Sequence, residues 1–237
     1  MIKKSKIIKE KQSDIAKYFE KRSLTDNAYL ILKKQIIKGE LYLGKKLKVK
    51  DLSDSFGISP TPIKEALNRL LADGLVSFKP RSGFYVSDVS ESGFRELMEL
   101  CIIFESYGAK QGLTKNLDQA LIEELKKPID EEILMRDSKS NDYETIAEVD
   151  RIFHRNLVKL AENRKMLFFY DNMSYQLHAL MISYIEKYKP IQDIFIESHT
   201  AILNSLLKKD KVLLQKNIEL HINKNFEVIQ KYILKKE

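Results

Sequence analysis

Residues 57–75 read GISPTPIKEALNRLLADGL, and two of the chain's five prolines stand at the front of this stretch. Proline lacks a backbone N–H and holds φ near the helical value, so it suits a first helical turn and disrupts an interior. Pro60 and Pro62 therefore mark a helix entrance, with Ser59 or Thr61 as N-cap. Ile63, Ala66, Leu67, Leu70 and Leu71 follow at helical spacing, and Gly74 stands where a left-handed cap ends a helix. The result is a helix with a stiff front end aimed in one direction.

Upstream, Thr25 or Asp26 caps an expected helix that carries Tyr29, Leu32 and Ile36 and stops at Gly39. A second short helix over 49–56 turns Leu52 and Phe56 inward, and Gly57-Ile58-Ser59 makes the turn into the proline-led helix. Downstream, LVSF (75–78) and FYVS (84–87) read as two short strands joined by KPRSG (79–83). Three helices followed by a β-hairpin form the pattern of a winged helix-turn-helix, here spanning 24–88. Residues 1–23 read as a charged arm in which Ile8, Ile15 and Phe19 make a thin apolar stripe. SDVSESG (87–93) reads as a linker, after which the pattern is helical to the end. Six helices are expected at roughly 93–112, 117–135, 142–162, 164–187, 191–208 and 210–235, a bundle domain over 92–235. The expected fold class is mainly α: a winged helix-turn-helix followed by an all-α six-helix bundle.

Composition supports this division. The apolar fraction of 43% sustains a core, and eight Gly with no Trp suit long helices over a turn-dense β fold. A single cysteine, Cys101, excludes an internal disulfide and fits a reducing, cytoplasmic location. No apolar run approaches the roughly 18 residues of a membrane span, and the N-terminus is too charged for a secretory signal. Residues 1–90 carry 19 Lys/Arg against 10 Asp/Glu, a net +9, whereas residues 91–237 carry 22 against 24, a net −2. A basic front and a near-neutral rear point to a polyanion partner for the first part only.

A helix start offers unpaired N–H groups and a positive dipole end to phosphates, and a helix-turn-helix enters the major groove by that end. Ser59 and Thr61 can hydrogen-bond phosphates or base edges, Lys64 reaches forward from the first turn, and Asn68 lies one turn on. Lys50 starts the preceding helix beside the flanking backbone, and Arg81, Ser82 and Gly83 form the wing tip. The expected partner is double-stranded DNA.

In the rear half, Asp150 and His154 sit at i and i+4 on a face shared with Ile146, Phe153 and Leu157. His199 lies in a stripe with Ile196, Ile202, Leu203 and Leu206, and His221 in one with Ile218, Ile222, Phe226 and Ile229. These two histidines flank a turn near Lys209-Asp210 at almost equal distances, so an antiparallel hairpin sets them at the same height. Three of the chain's four histidines and one aspartate can thus converge. Such an N₃O set suits a divalent transition metal: zinc first, then nickel, iron or manganese. Core histidines, beside an Asp150 paired to Arg151 or Arg155, are the plainer alternative. His178, on a stripe with Met181, Ile182 and Ile185, reads as a neighbour of the ligands or a piece of pocket wall rather than a ligand.

The run ISPTPIKEALNRLLADGLVSFKPRSGFYV resembles the signature of GntR-type bacterial transcription regulators, in which Ser-Arg-Thr-Pro-Val-Arg-Glu-Ala-Leu begins the recognition helix. GELYLGKKLKVKDLSDSFG is similar to the family's lead-in. Pro60 and Lys64 stand where the family has arginines, which removes two guanidinium forks able to read guanine. The Asp-x₃-His pair followed by two spaced histidines resembles the FadR branch with an FCD-type ligand domain, and six helices place it nearer the VanR-like subgroup. The resemblance implies that Asp150, His154, His199 and His221 bind metal beneath a pocket for a small effector, often a carboxylate. Cys101, Arg151, Tyr175 and His178 are the expected pocket residues, with Cys101 at a position often held by arginine. The function implied is ligand-responsive transcription regulation rather than catalysis. A metal-dependent enzyme of the superoxide dismutase type, which also uses three His and one Asp, is the alternative.

Overall fold

The computed structural model describes residues 22–88, 90–115, 117–188 and 192–233, with backbone alone at 180, 183–188, 192, 228–229 and 231–233. The arm stripe of Ile8, Ile15 and Phe19 lies outside the described residues, and so do the side chains of Ile185 and Ile229. The chain divides into two compact units between residues 88 and 89.

In the first unit, α1 runs Leu24–Ile37, β1 Lys46–Leu47, α2 Val49–Phe56, α3 Pro60–Ala72, β2 Val76–Lys79 and β3 Gly83–Val86. The cap of α1 is Ser23, not Thr25 or Asp26: its hydroxyl accepts the Asp26 N–H at 3.1 Å. Those two residues instead tie α1 to α3, Thr25 donating to Glu65 at 2.7 Å and Asp26 pairing with Arg69 at 2.6 Å. The α1 face that meets α3 buries Ala28, Leu32 and Ile36, while Tyr29 is half-buried. Gly57, at φ 67°, ends α2 in the left-handed conformation that makes the tight turn into α3 possible.

Ser59 is the α3 N-cap position and Pro60 opens the helix. Ile63, Ala66, Leu67 and Leu70 form its buried face, but Leu71 stays exposed. Beyond the Asp73 C-cap, Gly74 at φ 75° closes the helix as a Schellman motif. Its two bonds run from Leu75 N–H to the Leu70 carbonyl and from Gly74 N–H to that of Leu71.

The expected two-stranded hairpin is a three-stranded antiparallel sheet in the order β1-β3-β2. Two-residue β1 joins through Lys46 opposite Tyr85 and Leu47 opposite Phe84. A strand of that length has no alternation for the sequence to display.

The second unit holds α4 Glu91–Leu113, α5 Gln119–Asp137, α6 Tyr143–Lys159, α7 Arg164–Tyr188, α8 Gln192–Leu207 and α9 Lys211–Ile233. Side chains of Ser90, Asp118 and Asp142 cap the first three, and α4 starts earlier than expected because Ser90 receives the Gly93 N–H. Helix α6 lies against α4, α5 and α7, while α8 and α9 form an antiparallel hairpin that packs back on α4 and α5. The contact of α4 with α6 is close enough to need glycine, since a Cβ at Gly108 would meet the Leu157 carbonyl oxygen at 2.3 Å. Phe153, Leu157, Ile202, Leu206 and Ile218 fill the centre.

Candidate functional site

The surface of α3 opposite its buried face carries Thr61, Lys64 and Asn68, at i, i+3 and i+7, all outside the buried core. Ser59 and Lys50 are exposed as well, and Ser59 makes no side-chain cap bond. Their neighbours Glu65 and Arg69 point to α1 instead and are held there. This leaves a row of short polar and cationic groups on the N-terminal half of a proline-led helix.

At the wing, Ser82 N–H bonds the Lys79 carbonyl at 3.0 Å, with Pro80 and Arg81 at the centre of the turn. Arg81 takes φ 63°, a conformation that glycine adopts without strain, and its side chain is exposed. The Ser82 hydroxyl is engaged with that of Tyr85 at 2.5 Å. Sequence reasoning missed the flank of this wing, where Lys46 and Lys79 stand over the Tyr85 ring at 5.7 and 4.9 Å. The Ser82 bond and the two lysines lower the Tyr85 pKa. The strand register, which brings Lys46 opposite Tyr85, is the signal that short β1 concealed.

In the second unit, α6 supplies Asp150 and His154, α8 supplies His199 and α9 supplies His221, all four buried. The His154 and His221 Nε2 atoms are 3.1 Å apart, and the Asp150 Oδ1 lies 3.7 Å from His154 Nε2 and 3.6 Å from His199 Nε2. Ligand atoms of the three histidines all fall within 4.8 Å of one another. The height match across the α8–α9 turn places the His199 and His221 ring centroids 4.7 Å apart.

Arginine does not compensate Asp150. Arg151 makes a two-bond pair with Glu148, at 2.9 and 2.6 Å, and Arg155 another with Asp171, at 2.7 and 3.1 Å. Burial opposes the Asp150 charge, but the neighbouring imidazoles of His154 and His199 bring its pKa down. Burial likewise opposes a charge on His154, yet Glu105 and Asp150 raise its pKa well above the usual value. Burial, reinforced by His199 and His154, pushes His221 well down.

Two buried atoms at this centre, Asp150 Oδ1 and His199 Nε2, have no hydrogen-bond partner. Orphaned buried acceptors are costly, and a cation between them removes the cost. Three imidazole nitrogens and one carboxylate oxygen are a donor set that fits a divalent transition metal.

A cavity of about 50 Å³ adjoins the centre. Cys101, Arg151 and His178 line it as expected, but Tyr175 does not: its ring lies beneath the Arg151 guanidinium at 5.0 Å. Arg151 Nη1 and His178 Nδ1 are buried without hydrogen bonds. Burial first, then Glu105 and Asp150, raise the Cys101 thiol pKa well above its usual value, so the thiol stays neutral. Glu105, Glu132 and Ser198 were not anticipated, although each contacts a site histidine through Nδ1: His154 at 2.7 Å, His199 at 3.0 Å and His221 at 2.7 Å. Glu105 sits one turn beyond Cys101 on an apolar face, which is the one trace it left in the sequence.

Comparison with known proteins assigns both units. Residues 24–86 match the gntR family of bacterial regulatory proteins, and residues 96–224 match the FCD domain. An HTH-type transcriptional regulator of Bacillus subtilis, YdhC, is 25% identical over 84% of this chain and 88% of its own. The gluconate operon transcriptional repressor of Bacillus licheniformis is 24% identical, covering 84% and 80%. The E. coli McbR/YncC structure superposes with a TM-score of 0.73 at 23% identity, over 89% of this chain and 99% of that one. These families and relatives are regulators of transcription, not enzymes, which removes the dismutase-type alternative. The chain belongs to the gntR family of bacterial regulatory proteins, as a ligand-responsive, DNA-binding transcription regulator with an FCD domain.

Proposed function

We propose that this regulator is a cytoplasmic homodimer that reads a short inverted repeat. Its second unit senses a small metabolite above a divalent metal held by Asp150, His154, His199 and His221. The observation that carries this reading is the convergence of three buried imidazoles, with the buried Asp150 Oδ1 3.7 Å from His154 Nε2 and 3.6 Å from His199 Nε2, and with Asp150 Oδ1 and His199 Nε2 lacking a hydrogen-bond partner. A bound ion supplies charge and open coordination positions there. Zinc suits the set best, and nickel, iron or manganese are compatible with it.

Cys101 leaves the α4 wall of the cavity without a cation, and Arg151 supplies one from α6, two of its nitrogens bonded to Glu148 and Nη1 3.9 Å from Asp171 without a hydrogen bond. An anionic group, such as a carboxylate, is therefore a suitable feature of the effector, and the small volume selects a short molecule. Ser59, Thr61, Lys64 and Asn68 contact the major groove in this reading, Lys50 the flanking backbone, and Arg81, Ser82 and Gly83 the adjoining groove. An effector shifts operator affinity only as far as it prefers one packing of the second unit over another.

Elemental analysis of protein purified without a histidine tag should find about one divalent ion per chain, or zinc titration should show uptake of one. A chain that neither carries an ion nor takes one up would refute the metal reading. Fluorescence anisotropy against the protein's own promoter region should show tighter binding than to random duplex at physiological salt, and equal affinity would refute operator recognition.

A further inference from the structure

The three site histidines differ in what holds their outer nitrogens. Ser198 gives its hydroxyl hydrogen to the carbonyl of Ile194 or Phe195, at 2.7 and 3.0 Å, so its oxygen accepts from His221 Nδ1–H. His199 donates Nδ1–H to Glu132, whose other oxygen has no hydrogen-bond partner among the described residues. His154 donates Nδ1–H to one oxygen of Glu105, and the other accepts the Tyr170 hydroxyl at 3.0 Å. A neutral imidazole with its hydrogen on Nδ1 presents its lone pair at Nε2. Both carboxylates are buried, Glu105 1% and Glu132 6% exposed, on helices α4 and α5 that carry none of the four converging residues. Burying a carboxylate away from water is costly unless another group compensates it. Tyr170 and Glu105 also line the cavity, whereas Glu132 faces a separate small void.

We infer that Glu105 and Glu132 are positioning residues of the ion site, fixing the inward Nε2 of His154 and His199 and setting how tightly a divalent cation is held. Through Tyr170, Glu105 also ties that hold to the cavity wall, so a molecule that engages the Tyr170 hydroxyl alters the grip on the ion. This rests on the reading of Asp150, His154, His199 and His221 as ion ligands.

Two measurements on the full chain test it. Competition for zinc against a chromophoric chelator should show Glu105→Gln and Glu132→Gln weakened by roughly 10- to 100-fold each, as for other partners of metal-bound histidines. Tyr170→Phe should show a smaller loss, and Glu132→Asp, which keeps the charge, should recover part of the affinity. Long-range ¹H–¹⁵N spectra of zinc-free protein should show His199 with its hydrogen on Nδ1 in the wild type and a mixture of tautomers in Glu132→Gln. A purely structural role for Glu132 would leave that signature unmoved. Wild-type zinc affinity in both Gln variants overturns the proposal and spares the ligand reading. An Nε2–H tautomer at His199 in the zinc-free wild type overturns it whether or not zinc binds. A wild-type chain with no affinity for zinc overturns the ligand reading itself, and this inference with it.

Discussion

Replacing Gly108 with alanine tests the close helix contact that brings Glu105 to His154. The added Cβ would meet the Leu157 carbonyl oxygen at 2.3 Å and the Val158 Cα at 2.7 Å, both backbone atoms of the α6 end that cannot rotate aside. Ordinary contact begins near 3.4 Å, so α4 and α6 must part by about 1 Å. Overpacking costs about 1–3 kcal/mol, and rigid backbone places this case near about 3 kcal/mol. Alanine returns about 1 kcal/mol of helix propensity, leaving a net loss of about 2 kcal/mol. For a chain of this size that is about 4–8 °C in Tm. Gly112→Ala is the matched control, since its Cβ would meet side-chain ends, Leu160 Cδ1 at 2.7 Å and Leu206 Cδ1 at 3.3 Å, which can turn away. Gain and loss should there nearly cancel. Thermal and urea unfolding followed by circular dichroism would measure both variants. A Gly108→Ala protein as stable as Gly112→Ala would refute the reasoning, because it would mean the two helices are not held at backbone contact.

On the proposed metal reading, His199→Ala and His221→Ala should each lower bound metal per chain, measured by elemental analysis. Wild-type content in both would favour a core-histidine role. Lys64→Ala removes an exposed cation from α3 and should leave Tm unchanged, weaken operator binding and lower the slope of log K against log salt by about 0.9. Unchanged operator affinity would count against Lys64 in the groove. Arg81→Gly relaxes a left-handed backbone at φ 63°, so stability should move by no more than about 0.5 kcal/mol while DNA affinity falls. An unaltered affinity would make the wing-tip arginine a structural residue.

The proline pair at 60 and 62 made the first unit legible because it fixes a helix start without reference to the rest of the chain. The six helices of the second unit were legible for a similar local reason, the period of their apolar positions. What escaped was set by pairing across the chain. The α1 cap passed from Thr25 and Asp26 to Ser23 because those two side chains engage α3, about 40 residues away in sequence. Strand β1 exists only as a partner for β3. The four candidate ligands could be read because two lie one helical turn apart and two flank the turn between α8 and α9 at matching distances. Glu105 and Glu132 could not, since they reach His154 and His199 across 49 and 67 residues. A glutamate on an apolar helical stripe gives no sign of which histidine it meets.

The site's own contacts argue for an ion more strongly than its residue types do. A buried network that served only to hold helices together would close its hydrogen bonds, because each unmade one costs about 1–3 kcal/mol. Here the outer nitrogens are closed, at 2.7 to 3.0 Å, while Asp150 Oδ1 and His199 Nε2 stand 3.6 Å apart with no hydrogen-bond partner among the described residues. The separation is too long for a direct bond and of the right order for two ligands of one cation, whose coordination bonds are about 2.0–2.2 Å each. Burial opposes a charge on His154, while Glu105 and Asp150 raise its pKa well above the usual value. The centre is closed on one side, where His154 Nε2 meets His221 Nε2 at 3.1 Å and Asn225 Nδ2 meets His221 Nε2 at 3.0 Å, so what calls for a cation is the unpartnered pair of Asp150 Oδ1 and His199 Nε2.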